Sequence, residues 1–427
     1  MPRLVVRPLK EFLDTEASGG ILLLLAVIAA LAWANSPWQA GYERLWSTEA
    51  SVSIGTFELH HDLRHWINDG LMTIFFFVVG LEVKSEMTGG ELAGRRRAAF
   101  PVIGAIGGMV VPGLVYLIFN AGGNTAGGWA VPMATDIAFA IGVLALFGSR
   151  IPSSLRVFML TLAIADDIGA IVVIAAFYAG SIDVALLGIA GGGLLLTVAL
   201  KRLRVWWLPA YVAIGIVVWF ATLLSGVHAT IAGVALGLLT PAAPLKFEAA
   251  DDLPTGQEAV DVPPATAARN ARLSVHESTS VAQRLEHELH PWTSFAIVPL
   301  FALANAGVVL DRALIGAAAS SSVTTGIVAG LVLGKPVGIA GFAWIAHRLG
   351  WAALPEGARW GHVVAVGAVA GIGFTVSLFI AGLAFSGSAP SEEAKLGILA
   401  GSLLAAIAGA LLIHVEFDGP GDDRGED

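Results

Sequence analysis

The sequence predicts an all-α polytopic membrane protein with about twelve transmembrane helices. Hydrophobic residues occupy 56% of the 427 positions and charged residues only 13%, with a mean hydropathy of +0.77. Soluble domains have about 45–50% apolar and about 25% charged residues, so this composition argues against a soluble enzyme. The apolar residues also form runs of spanning length, and the basic residues collect on one side of those runs.

Twelve apolar segments have spanning length or nearly so, with boundaries good to about three residues. The first follows three basic residues, as a signal peptide would, but no clear cleavage site follows it, so we interpret it as a retained helix. The seventh and eighth segments are separated only by Ser225 and Gly226. The segments lie at residues 18–35, 63–84, 97–119, 126–147, 155–179, 182–199, 205–224, 226–240, 291–310, 322–346, 362–385 and 394–414.

The basic residues predict the orientation of these segments. Of the 24 lysines and arginines, 19 fall on the side that holds the N-terminus, four on the other side and Lys335 within a span. Lysine and arginine collect in cytoplasmic loops, so both termini are predicted to be cytoplasmic. The expected location is a bacterial inner membrane.

The segments outside the spans divide the chain into two membrane halves, residues 1–240 and 285–415. Residues 241–284 are polar without periodicity and predict a flexible cytoplasmic linker, and residues 416–427 predict a disordered acidic tail. Apolar and polar residues alternate around a Gly-Thr turn at residues 51–59, which predicts a small external β-hairpin. A lone hairpin is marginally stable in water, so it either joins two copies as a homodimer contact or is an ordinary external loop.

Several ionisable residues lie within or at the ends of spans, where a central charge costs at least about 2.5–3.5 kcal/mol. Adjacent helical residues point about 100° apart, so Asp166 and Asp167 in the fifth span face different neighbours. A buried lysine such as Lys335 needs a carboxylate partner or must lose its proton. A pair with Asp166 would serve helix packing, the transport mechanism, or both. The group comprises Asp69, Glu82, Asp136, Asp166, Asp167 and Lys335.

The fourth and eleventh spans are predicted to be interrupted. Gly127, Gly128 and Pro132 precede Thr135 and Asp136 in the fourth span. The eleventh has a counterpart, in which Gly367, Gly371 and Gly373 precede Thr375 and Ser377. Interrupted helices in corresponding places of two halves are typical of transporter binding sites, because broken ends expose carbonyls and helix dipoles.

Carboxylate and hydroxyl oxygens suit small hard cations such as Na⁺ or Li⁺, which predicts a metal cation at Asp166 and Asp167. Crowded carboxylates also bind protons, so competition for one site would couple the two fluxes. Cation/proton antiport is the resulting hypothesis, and a passive monovalent cation channel or a membrane scaffold are the alternatives. The chain has no cysteine, P-loop or zinc-protease motif, so we expect no cofactor, no catalytic residues, no enzyme activity and no nucleic-acid partner.

The sequence also resembles the NhaA family of Na⁺/H⁺ antiporters over nearly its whole length. The resemblance rests on long strings that include WINDGLMTIFFFVVGLEVKSE, ATDIAFAIGVLALFGSRIP, LAIADDIGAIVVIAAFY, SGVHATIAG, LGKPVGI and GIGFTVSLFIAGLAF. It implies an inverted-repeat fold in which the fourth and eleventh helices are interrupted and cross. It also implies electrogenic, pH-regulated export of Na⁺ or Li⁺ in exchange for H⁺.

The resemblance assigns roles by position. It implies that Asp167 is the essential cation ligand, and that Asp166 pairs with Lys335 and releases a proton. It places Thr135 and Asp136 at the helix crossing, where Asp136 offsets the positive helix ends. Ser85 departs from the family pattern, which has arginine there, and the linker is longer than in the compact family pattern. Five positions match residues tied to the pH response: Glu82, Glu86, His228, Glu286 and His287.

Overall fold

The computed structural model describes residues 3–54, 57–90, 92, 94–203, 205, 207–242, 280–386 and 390–418. A 3₁₀ helix, Ala126–Met133, precedes α5, and the strands are β1 (Glu49–Ile54) and β2 (Phe57–Asp62). The helices are α1 (Arg3–Ala34), α2 (Gln39–Trp46), α3 (Leu63–Gly89), α4 (Arg95–Asn120), α5 (Ile137–Leu146), α6 (Ser153–Phe177), α7 (Val184–Arg202), α8 (Leu208–Leu224), α9 (Thr230–Leu239), α10 (281–305), α11 (Arg312–Ser320), α12 (Ser322–Arg348), α13 (Trp360–Val369), α14 (Phe374–Ala384) and α15 (Pro390–Asp418).

All twelve predicted segments are helical over most of their length. Within the described residues, seven helices are long and apolar enough to cross a membrane, and two bent helix pairs raise the number to nine. The seventh and eighth segments form the shorter helices α8 and α9, of 17 and 10 residues. At 1.5 Å per residue, α9 is about 15 Å long, roughly half the thickness of a hydrocarbon core. The all-α membrane fold is confirmed.

Both predicted interruptions are present. The fourth span runs as a 3₁₀ helix, leaves helical structure at residues 134–136 and resumes as α5. The eleventh span is divided into α13 and α14, whose axes differ by 53°. Pro132 explains part of the first interruption, because proline removes a backbone donor and crowds the preceding turn.

Close glycine contacts hold the helices around these interruptions. A β-carbon at Gly107 of α4 would lie 2.1 Å from the carbonyl oxygen of Gly338, and one at Gly338 would lie 2.2 Å from that of Gly107. Small residues let membrane helices approach closely, and here they bring α12 against α4. This contact lies one turn from Lys335 and positions the helix that carries it.

The predicted hairpin is confirmed and is longer than the sequence suggested. β1 and β2 pair antiparallel from Glu49 opposite Asp62 to Ile54 opposite Phe57. The indole N–H of Trp66 in α3 donates to the carbonyl of Ala50 at 2.7 Å, which joins the hairpin to the membrane helices. The tip at residues 55–56 lies outside the described residues.

Two predicted boundaries differ from the structure. Helix α10 begins at Val281, inside the predicted linker, because Ser280 and Gln283 form a capping box that starts the helix. Helix α15 continues to Asp418, into the predicted tail, which began at residue 416. Most of the linker and the rest of the tail, residues 243–279 and 419–427, lie outside the described residues.

Candidate cation and proton site

The non-helical segments of the two interrupted spans cross and hydrogen-bond to each other. The backbone N–H of Asp136 donates to the carbonyl of Ile372 at 2.6 Å, and the Thr135 hydroxyl donates to the carbonyl of Ala370 at 2.8 Å. A broken helix inside a membrane leaves backbone groups that must find partners within the protein. Each interruption supplies hydrogen-bond partners to the other, in keeping with the crossing that the family resemblance implied.

Asp136 caps the N-termini of both helices that leave the crossing. Its Oδ1 accepts from the backbone N–H of Phe139 in α5 at 3.1 Å. Its Oδ2 accepts from the backbone N–H and the hydroxyl of Thr375 in α14, at 3.1 and 2.6 Å. A helix N-terminus carries about half a positive charge, so two of them offset about one carboxylate charge.

Lys335 is fully buried and pairs with Asp166. Its Nζ lies 2.7 Å from Asp166 Oδ2 and donates to the Thr135 hydroxyl at 2.9 Å. A π-helical turn, Gly330–Gly334, comes immediately before Lys335 and shifts the register of α12. Such turns reorient the side chains that follow them and are frequent at functional sites. The ammonium group therefore neutralises Asp166 and also holds the crossing through Thr135.

Asp167 has different surroundings from its neighbour. Its side chain is buried, but it lines a cavity of about 60 Å³ together with Thr135, Asp136 and Thr375 from the crossing. Among the described residues, none donates a hydrogen bond to its carboxylate. Residues of α1, α3 and α10 also line the cavity.

The three central carboxylates do not converge on one point. Within the described part of the chain, no three acidic or histidine side chains are close enough to hold a metal ion together. Asp166 is turned to Lys335, Asp136 to the helix ends and Asp167 to the cavity. Among the described residues, two of the three carboxylates therefore contact a positive group, whereas Asp167 forms no ion pair. The Lys335 ammonium acts on Asp167 only from a longer distance, so this carboxylate is open to a cation or a proton.

The five positions matched to the pH response do not form one group. Glu82 lines the cavity with Asp167, whereas Glu86 lies beside Glu286 where α3 meets α10. His287 is exposed. His228 lies in the loop that precedes α9, and its Nε2 is 3.0 Å from the carbonyl oxygen of Tyr178. His228 is also close enough to Asp69 for their charges to interact.

Glu286 is the member of this group with the clearest electrostatic signature. Burial raises the pKa of its carboxyl to about 7, the negative charge of Glu86 adds to the shift, and His290 opposes it. The hydroxyl of Ser85 donates a hydrogen bond to Glu286 and lowers the pKa slightly. Ser85 is the position at which the family pattern has arginine, so no full positive charge stands there.

Three polar residues of the cavity were not singled out from the sequence: His290, Thr293 and Ser294 on α10. These residues lie at or just before the start of the ninth predicted span. The local sequence has no pattern that distinguishes them from ordinary polar residues at the end of a span. Thr375 was noted only as the residue after an interruption, and its bond to Asp136 shows why it is there. Contacts between segments far apart in the chain decided these placements.

Comparison with known proteins identifies the family. The family model described as Na⁺/H⁺ antiporter 1 matches residues 10–413. The Na⁺/H⁺ antiporter NhaA 3 of Frankia alni is 48% identical over 96% of this chain and 89% of its own length. The NhaA antiporter of Janthinobacterium sp. is 49% identical, covering 94% and 91% of the two chains. NhaA 1 of Klebsiella pneumoniae is 45% identical over 96% of each chain. This chain therefore belongs to the Na⁺/H⁺ antiporter 1 family, a family of exchangers rather than of passive channels.

Proposed function

We propose that this protein exports Na⁺ or Li⁺ from the bacterial cytoplasm across the inner membrane in exchange for external H⁺, at a site centred on Asp167 with Asp166 as its neighbour. The observation that carries the proposal is the unequal neutralisation of the central carboxylates. Asp167 lines the cavity and forms no ion pair with any described residue, so a proton and a small cation compete for it. Competition for one carboxylate couples the two fluxes without any covalent chemistry.

The ion pair beside this carboxylate supplies the second part of the mechanism. When a cation enters near Asp167, its positive charge weakens the hold of Asp166 on the Lys335 ammonium, 2.7 Å away. Breaking the pair frees Asp166 to bind the cation and allows Lys335 to lose its proton. One cation then replaces more than one proton, which makes the exchange electrogenic.

An electrogenic exchange of this kind gains energy from the membrane potential. An inside-negative potential contributes about 2.3 kcal/mol for each net charge per 100 mV. If more protons enter than cations leave, the potential helps to drive the cation out against its gradient. Asp136 supports the site by neutralising the two helix ends, which would otherwise repel the cation.

Reconstitution tests the proposal directly. Purified protein is placed in liposomes that hold a pH-sensitive dye, and Na⁺, Li⁺ or K⁺ is added with the membrane potential clamped. We expect proton movement that depends on Na⁺ or Li⁺ and disappears in Asp167→Asn. Asp183→Asn is the matched control, because Asp183 caps exposed α7 and asparagine caps equally well. Downhill Na⁺ leak without proton movement would overturn the proposal and favour a channel.

Glu286, Glu86 and Ser85 are proposed to set the pH response. Neutral Glu286 favours the packing of α10 against α3, and this contribution to stability is lost as the pH rises through about 7. Above that pH a buried negative charge appears beside Glu86, and their repulsion loosens the contact. Activity is therefore expected to increase from neutral to alkaline pH. Glu82, His287 and His228 are proposed as weaker contributors.

The topology and the oligomer are also proposals. Both termini are proposed to be cytoplasmic, which C-terminal fusions to a cytoplasm-active and a periplasm-active reporter would test. The hairpin is proposed to pair with a second copy as a homodimer, because β1 and β2 are a lone two-stranded sheet among the described residues. Deleting residues 52–59 should reduce dimer crosslinking, and unchanged crosslinking would overturn this idea.

A further inference from the structure

The cavity beside Asp167 has a second polar wall that the exchange mechanism above does not use. This wall contains Glu82 from α3 and His290, Thr293 and Ser294 from α10. Thr293 and Ser294 are 4% and 8% exposed, so their hydroxyl groups belong to the interior of the protein. The two helices come from different halves of the chain, and only their packing brings these oxygens together.

A π-helical turn, Thr293–Ile297, places both hydroxyl residues on this wall. The turn follows Pro291, and its extra residue changes which side chains face the cavity. The hydroxyl of Thr293 donates to the carbonyl of His290 at 2.8 Å. A hydroxyl has a single proton to donate, so this bond leaves the Thr293 oxygen with only lone pairs to present. Such an oxygen has lone pairs with which to coordinate a cation and no second proton to donate.

The backbone of α1 closes the cavity on the side of Ser294. A β-carbon at Gly19 would lie 3.1 Å from the Ser294 Cβ, and one at Gly20 would lie 2.8 Å from the carbonyl oxygen of Ala138. Two adjacent glycines therefore let α1 lie directly against α10 and α5. The wall of the cavity is consequently tight at the level of the hydroxyl groups.

The size of the cavity limits how much water a cation can bring with it. A volume of about 60 Å³ accommodates about four water molecules. A small hard cation that enters must exchange part of its hydration shell for protein oxygens. Glu82, Thr293 and Ser294 supply one carboxylate and two hydroxyl groups for this exchange within the same cavity.

We infer that Glu82, Thr293 and Ser294 form a second cation position, an entry station at which Na⁺ or Li⁺ loses part of its hydration shell before it reaches Asp167. The inference rests on the proposed function, since it assigns the path of the cation to the same cavity. A proton needs no such ligands, so the station acts on the metal cation and not on proton binding at Asp167. It thereby raises the apparent affinity for the cation.

The test is the double variant Thr293→Val/Ser294→Ala in liposomes. We expect the KM for Na⁺ and Li⁺ to rise about tenfold, equivalent to about 1.4 kcal/mol. The maximal rate at saturating cation and the pH dependence of exchange should stay close to those of the wild type. Thr222→Val and Ser402→Ala are matched controls, because both residues are buried outside the cavity and the Thr222 hydroxyl also donates to a carbonyl of its own helix, that of Val218.

A wild-type KM in the double variant would overturn the entry station and leave the antiport intact. Absence of cation-dependent proton movement in the wild-type protein would instead overturn the proposed function. The second measurement is equilibrium binding of ²³Na⁺, followed by its NMR line width. If the double variant does not fold, the single variant Ser294→Ala replaces it. Asp167→Asn should retain weak Na⁺ binding that Ser294→Ala removes. Equal binding with and without the serine would contradict the inference.

Discussion

The two sides of α6 treat neighbouring carboxylates in opposite ways. On one side Asp166 meets the Lys335 ammonium at 2.7 Å, and the pair is sealed from solvent. On the other side Asp167 lines a cavity and receives no hydrogen bond from the described residues. The comparison teaches that a helix can combine a stabilised charge and an unneutralised one in consecutive residues, because the turn of about 100° sends them to different neighbours.

The largest effect is expected from Asp167→Asn. The amide keeps the shape of the side chain but cannot exchange a proton for a cation, so cation-dependent proton movement should disappear. The protein should remain folded with an equal or higher Tm, because the variant removes a buried carboxylate that forms no ion pair with a described residue. Dye-monitored exchange in liposomes and a thermal unfolding curve in detergent check both points. Exchange at the wild-type rate would refute the site.

The second-largest effect is expected from breaking the buried ion pair of Asp166 and Lys335. Asp166→Asn leaves the buried Lys335 without its contact ion-pair partner, which should destabilise the protein by about 3–5 kcal/mol and impair coupling. The double variant Asp166→Asn/Lys335→Met removes both charges and should recover most of the stability and some exchange. The Tm and the exchange rate of the single and double variants are the measurements. If the double variant were no more stable than Asp166→Asn alone, the explanation by an uncompensated Lys335 charge would be wrong.

Asp136→Asn should have an intermediate effect. Asparagine can still cap a helix, but the half charges of α5 and α14 would no longer be offset. The resulting positive potential near Asp167 should raise the KM for Na⁺ about tenfold, or about 1.4 kcal/mol. Thr375→Val is the control, since it removes one hydrogen bond to Asp136 and leaves the charge in place. Equal effects of both variants would argue against the electrostatic explanation.

The smallest effect is expected at the contact of α3 and α10. Ser85→Arg would place a positive charge beside Glu286, lower the pKa of that carboxyl from about 7 and shift the activity profile toward lower pH by about one unit. Glu286→Gln keeps a neutral group at every pH, so exchange activity should depend less steeply on pH near neutrality. Exchange rates measured across a pH series distinguish the shifted profile expected for Ser85→Arg from the less steep profile expected for Glu286→Gln. An unmoved profile in both variants would exclude Glu286 from the pH response.

Some features of the site depend on contacts between distant segments, which no local sequence pattern predicts. Thr135 follows Pro132 in a pattern that predicts an interruption, but its simultaneous contacts with Ala370 and Lys335 depend on where two distant spans cross. The hydroxyl wall of the cavity depends on a π-helical turn, for which the sequence has no reliable signal. The positions of the helices were predictable from apolar runs, but the count of twelve spans stays a prediction, since seven to nine of the described helices meet the requirements for crossing a membrane. The 10 residues of α9 show that an apolar run alone misjudges the length of a short helix.

The sequence by itself determined that this is a membrane protein, where its helices lie, which spans are interrupted and which charges are buried in them. Those features follow from local composition, because a bilayer selects apolar runs and penalises every isolated charge. The resemblance implied partners for Asp166 and Asp136, but only the tertiary structure provided the contacts that join Asp166 to the lysine and Asp136 to the helix ends and that leave Asp167 lining the cavity. That division depends on helix crossings, close glycine contacts and the register of π-helical turns, all of which are set by packing between segments far apart in the chain.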